Sequence, residues 1–147
     1  MANKYTARST AVTVLTTELN GLTNGSVSTL SATQDNTTAG LRFPLAQVEI
    51  NLAAQATNRA IGAYVAVYFI PELDGTNFGT TTGECLDNYF VGSAAVNSAA
   101  LTAATMILDR VRVPVGNYKV ALKNVTGQAF AATGNTVELR TYSNEDV

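Results

Sequence analysis

The stretch "PELDGTNFG", Pro71 to Gly79, is the best place in this chain to hold a cation. Asp74, Asn77 and the loop carbonyls could offer hard oxygen ligands to Ca²⁺. The acid spacing of an EF-hand is absent, however, and Asp-Gly followed by Thr-Asn is also what a tight turn wants. Glycine supplies positive φ, and Asp and Asn bond their own backbone. The turn is the expected reading. Glycoside hydrolysis needs two carboxylates held about 5 to 10 Å apart, and Glu72 with Asp74 or Glu84 with Asp87 are available pairs. Solvated loop acids account for both. Cys85 is the single cysteine, so it has no thiol partner for an internal disulfide or a cysteine-ligated zinc. A buried or half-buried structural thiol is expected there.

The chain contains no histidine. That removes the usual general base near neutral pH and the commonest transition-metal ligand, and it excludes Ser-His-Asp and Cys-His arrangements. No Walker A loop or GxGxxG element occurs. Tyr64, Tyr68, Tyr89 and Tyr118 could line a sugar-binding face, but there is no Trp, and packing is their expected use. The residues therefore predict no catalytic, cofactor-binding or metal-binding site, no cofactor, and a protein that is not an enzyme.

The basic residues are scattered: Lys4, Arg8, Arg42, Arg59, Arg110, Arg112, Lys119, Lys123 and Arg140. No block of them would neutralise a run of phosphates, so nucleic acid is not an expected partner. Arg110, Arg112, Lys119 and Lys123 could share a sheet face, where a solvated row explains them. Net charge is −2, and only 14% of residues are charged against 46% hydrophobic. The surface must then be covered by Thr, Asn, Ser, Ala and Gly, a composition suited to crowded assemblies. No stretch of about 18 apolar residues exists to span a membrane. The opening "MANKYTARSTAVTVL" has no apolar run of signal-peptide length, so synthesis in a cytoplasm is expected. The sequons at Asn24, Asn36 and Asn124 then mean little.

The elements that must position these residues are strands. At 147 residues the chain suits one domain. Residues 1–10 lack periodicity and read as an N-terminal arm, with a single domain over 11–147. "TAVTVLTTELNGL" reads as a short strand passing into a helical turn near Asn20-Gly21. At most one edge strand is expected around residues 26–32. "RFPLAQVEINLAA" sets Val48, Ile50 and Leu52 against Gln47, Glu49 and Asn51. In "AIGAYVAVYFIP", Ile61, Ala63, Val65, Val67 and Phe69 form one face, with Tyr64, Ala66, Tyr68 and Ile70 on the other. Both faces are apolar, so this strand is central or has one face covered by another chain.

"CLDNYFVG" reads as a short strand, and the Ala-rich run from Ser93 as a possible helix start. "TMILDRVRV" sets Ile107, Val111 and Val113 apart from Leu108, Arg110 and Arg112. Tyr118, Val120 and Leu122 oppose Asn117, Lys119 and Lys123. A turn at residues 124–127, a short strand, and a Gly134-Asn135 turn follow. The last strand sets Val137, Leu139 and Thr141 against Glu138, Arg140 and Tyr142. About eight short strands with turn residues between them predict an all-β antiparallel sandwich, jelly-roll-like.

Three stretches resemble the small β-sandwich virion proteins of tailed bacteriophages, in particular capsid decoration (cement) proteins. "TAVTVLTTELNGLTNGS" resembles their arm and first strand. "VAVYFIPELDGTNFG" resembles their central strand and DG turn, and "RVRVPVGNYKVALKNVTGQAFAATGNTVELRTYS" their closing strands. The resemblance implies a structural protein on the capsid exterior, made in a host bacterial cytoplasm. Its expected partners are the major capsid protein and further copies of itself, as a dimer or trimer, with no membrane partner. It would bridge capsomers against internal pressure, and the family brings no catalytic residues. A tail or fibre module, or a receptor-binding carbohydrate module, is the alternative. A shell-forming major capsid protein fits less well, because the chain is short and lacks a long helix.

Overall fold

The computed structural model describes residues 3–5, 9–37, 42–98 and 102–146. In chain order its strands are β1 (Asn3–Tyr5), β2 (Val12–Leu15), β3 (Leu45–Leu52), β4 (Tyr64–Pro71), β5 (Phe90–Ala95), β6 (Ala104–Arg112), β7 (Tyr118–Val125), β8 (Thr136–Tyr142) and β9 (Asn144–Asp146). One four-stranded sheet has the order β2-β8-β3-β6 and a three-stranded sheet the order β5-β4-β7. Every pairing is antiparallel. β1 and β9 form a separate antiparallel pair. Part of the stretch expected as an arm is thus a strand, and residues 1–2 and 6–8 lie outside the described residues.

Alternation makes the core. On β3, Ala46, Val48, Ile50 and Leu52 are buried while the residues between them are half-exposed. They meet Val65, Val67 and Phe69 of β4 and Tyr118, Val120 and Leu122 of β7 in one cluster spanning both sheets. This is the two-layer solution open to amphipathic strands. The alternation of β4 begins one step later than the sequence suggests. Ile61 is 98% exposed, because Gly62 at φ +78° turns the chain before Ala63 enters the core.

The second apolar face of β4 needs no other chain. Ala66, Tyr68, Ile70 and Ala121 pack under Leu86, with Val27, Leu30, Phe78 and Tyr89 closing the edges. The covering residues come from two loops of the same chain. One contains a 3₁₀ turn, Gly83–Tyr89, where a strand is expected. A three-residue repeat stacks positions i and i+3, which brings Leu86 and Tyr89 onto this face together. The strand starts only at Phe90.

Two bulges displace expected faces. Val48 pairs with Leu108 and Ala46 with Val111, so β6 carries one extra residue. Arg110 sits there at φ +56°, the one non-glycine at positive φ among the described residues. The extra residue shifts the alternation: Val111 and Val113 are buried as expected, but Ile107 points out and Leu108 packs inward. A similar shift on β2 lets consecutive Val14 and Leu15 both be buried. On β8, Val137 and Leu139 are buried, and so is Tyr142, expected outside, whose hydroxyl donates to Asp109. Residues 128–133, expected as a short strand, are irregular; Phe130 anchors them in the core, and its N–H donates to Leu22 O. The Ala-rich run is extended through Ala95, and its residues 99–101 lie outside the described residues.

The expected edge strand at residues 26–32 is present only as a hydrogen-bonded rim along β7. Ser28, Ser31 and Gln34 donate their N–H groups to Leu122, Val120 and Tyr118 O. The rim steps three residues for every two on β7, so carbonyls cannot answer each β7 N–H. Side chains do so instead: Ser28 Oγ accepts Leu122 N–H at 3.1 Å and Ser31 Oγ accepts Val120 N–H at 2.9 Å. Ser31→Ala is expected to strand the buried Val120 N–H and cost about 1–3 kcal/mol. Chemical denaturation reads this directly; an unchanged midpoint would mean that the hydroxyl bond contributes nothing.

Candidate functional site

The DGTN turn spends its oxygen on itself. Asp74 Oδ1 accepts the N–H groups of Asn77 (2.8 Å) and Thr76 (3.2 Å), and Oδ2 accepts Asn77 Nδ2 at 2.7 Å. These bonds, led by the Asn77 backbone N–H, hold the carboxyl below its ordinary value. Gly75 at φ +83° completes the turn. Nearby, Glu72 Oε1 is enclosed and has no hydrogen-bond partner among the described residues. Glu84 and Asp87 stand exposed on the 3₁₀ turn. Among the described residues no three of His, Cys, Asp and Glu are grouped to hold a metal.

One acid pair was not visible in local spacing. Glu49 on β3 and Glu138 on β8 are direct cross-strand partners, with Gln47 opposite Arg140 on the same face. Their 89-residue separation hides them, although each lies on an outward position of its own alternation. Like charges directly opposite each other are destabilising. Asn51 Nδ2 donates to Glu49 at 3.0 Å. Glu49, Glu138, Gln47 and Arg140, with Ala11 and Ile107, border a depression of about 130 Å³, below the several hundred Å³ of a small-molecule pocket. A larger groove of about 240 Å³ lies between Val12, Phe43, Tyr118 and Leu139, and Asp35 is its only acid.

The remaining candidates are dispersed. Cys85, expected buried or half-buried, is exposed, because the 3₁₀ turn sends Leu86 inward in its place. Tyr68 packs edge-on against Phe90, with centroids 5.9 Å apart, and Tyr118 lies 5.1 Å from Phe69. Tyr89 lies against Gly79, where a Cβ would come within 2.3 Å of its hydroxyl. Of these four tyrosines only Tyr64 is exposed, so they form no platform. Arg110 and Arg112 belong to β6 and Lys119 and Lys123 to β7, in different sheets, so the four share no face. Lys119 Nζ sits 4.4 Å above the Phe78 ring.

Burial pushes the Tyr118 hydroxyl up to about 12 from 10.0. In this window the unfolded chain releases the proton first, so stability present below pH 10 is lost as pH rises toward 12. The expected loss is about 2–3 kcal/mol, and Tyr118→Phe should remove that part of the alkaline decline. Thermal melts across this range test it; equal declines in both proteins would contradict it.

No protein-family model matches the chain, and no curated protein sequence matches it either. Fold and side chains together define an antiparallel all-β sandwich whose second apolar layer is supplied by its own loops. Among the described residues no helix is long and apolar enough to cross a membrane.

Proposed function

We propose that this chain is a structural virion protein that decorates the head of a tailed bacteriophage and stabilises it by bridging capsid subunits. The observation that carries the reading is where the polar side chains go. Asn36, Asn124 and Asn135, all buried, donate to loop carbonyls, and their own oxygens take loop or neighbouring N–H groups. Ser28 and Ser31 finish a sheet edge. A sparsely charged, Thr- and Asn-rich chain thus uses its hydrogen-bonding capacity to fix loops. A protein whose task is to hold others needs that stiffness. The dispersed tyrosines give no comparable support to a glycan-binding module.

The finer architecture in this proposal is a jelly roll. If the rim at residues 26–34 is counted as a strand, the pairs β2–β8, rim–β7, β3–β6 and β4–β5 are those of one long ribbon folded back on itself. Winding that ribbon into two layers generates the double Greek key. The expected arm enters the proposal as the β1–β9 ribbon. Two-stranded ribbons this short are marginal alone, which suits an element completed on a partner. The major capsid protein is the proposed partner, with a dimer or trimer of this chain on the capsid exterior.

Purified protein is expected to add to undecorated heads of its own phage and to raise their resistance to heat or chelator. Absence of binding at saturating concentration would remove the proposal.

A further inference from the structure

The four loops at one end of the sandwich, residues 16–25, 53–63, 96–98 and 126–135, contain two ionisable residues between them, Glu18 and Arg59. Arg59 is buried and donates to Gln55 Oε1 (2.7 Å), Asn97 O (3.3 Å) and Ala53 O (3.4 Å). Glu18, in the 3₁₀ turn Thr17–Leu19, is half-buried and accepts Thr16 N–H at 2.8 Å. The loops at the opposite end carry Asp35, Arg42, Glu72 and Asp74.

The same loops are laced together. Gly21 N–H donates to Ala131 O, Gly25 N–H to Asn124 O, Arg59 N–H to Ser98 O and Ala60 N–H to Thr126 O. Gly127 N–H donates to Asn24 Oδ1 at 2.8 Å, and Gln55 Nε2 to Ala129 O. At Gly127, φ is +82° and a Cβ would come within 2.6 Å of the Ala60 Cβ, so this contact admits only glycine. On the turn so fixed, Ile61 projects into solvent almost entirely exposed.

We infer that this charge-poor end is the docking face, with Ile61 as its anchor, and that its occupant is a neutral protein surface of a different chain offering an apolar hollow. Interface centres are depleted of charge and built around apolar anchors. A knob held rigid beforehand loses little entropy on binding. A nucleic acid would require exposed cations at this end, as would an anionic membrane surface. An isologous contact with a second copy requires a patch that complements itself. None of the depressions described above opens on this end, so two copies would meet knob against knob. The inference rests on the proposed decorating function and names the part of the protein that touches the shell.

The experiment compares wild type, Ile61→Asp, Ile61→Ala and Leu73→Asp for binding to undecorated heads, with sedimentation of each free protein. Both sites are exposed loop positions (Leu73 is 91% exposed), and thermal melts verify that the variants fold. Ile61→Ala is expected to weaken binding about tenfold or more and Ile61→Asp roughly a hundredfold or more, with Leu73→Asp unchanged. Wild-type binding that Ile61→Asp leaves intact overturns the docking face while the decorating function stands. No wild-type binding at all removes that function and this inference with it. A self-associated wild type that Ile61→Asp dissociates shows that the occupant is a second copy, against the inference.

Discussion

Val67→Asp is expected to yield no folded protein. Val67 is fully buried at the centre of β4, between Leu122 of β7 and Gly92 of β5, in the cluster that joins the two sheets. A carboxylate there must either be buried unpaired or take up a proton and still lack a hydrogen-bond partner. Either course costs more than about 4 kcal/mol, a large part of the roughly 5–15 kcal/mol that a domain has to lose. Tyr64→Asp is the matched control, since Tyr64 lies on the same strand and is well exposed. Circular dichroism and the soluble fraction on expression read the outcome. A soluble, folded Val67→Asp variant would show that the inner face of β4 has been wrongly assigned.

Asn124→Ala is expected to cost about 3–5 kcal/mol through a different mechanism. The Asn124 carboxamide is completely buried and makes four bonds: Nδ2 donates to Leu22 O (2.8 Å) and Gln128 O (2.7 Å), and Oδ1 accepts Thr126 N–H (2.9 Å) and Oγ1 (2.7 Å). Truncation leaves the buried Thr126 N–H without a partner, at about 1–3 kcal/mol. It also removes three further bonds at about 0.5–1.5 kcal/mol each, although Leu22 O keeps the Phe130 N–H and Gln128 O the Thr126 hydroxyl. Asn124→Asp should also be damaging, because it removes both donors and brings a charge inside. Guanidinium midpoints measure both variants; losses under about 1 kcal/mol would mean that water enters and satisfies these groups. The buried carboxamide also explains why this sequon, like that at Asn36, has a structural use.

What the sequence showed clearly were elements whose two faces differ. β3, β7 and the inner face of β4 follow from two-residue alternation alone, and so does the doubly apolar character of β4. The elements it misplaced depend on backbone events that composition does not encode. One extra residue at Arg110 turns Ile107 outward. A three-residue repeat at Leu86 and Tyr89 replaces a strand by a 3₁₀ turn and exposes Cys85. At residues 26–34 the rim borrows serine hydroxyls, so its spacing matches neither helix nor strand. The Glu49–Glu138 pair and the charge-poor end share a cause for being overlooked. Both are made by residues far apart in the chain, which only the strand order brings together.

The most direct test of the proposed function is to look for the protein, by cryo-microscopy, in purified particles of a tailed phage whose genome carries its gene. The proposed function predicts sandwich density on the outer surface of the head, lying across neighbouring capsid subunits, with the Ile61 end against the shell. Density confined to the tail, or a head surface without this sandwich, would contradict it.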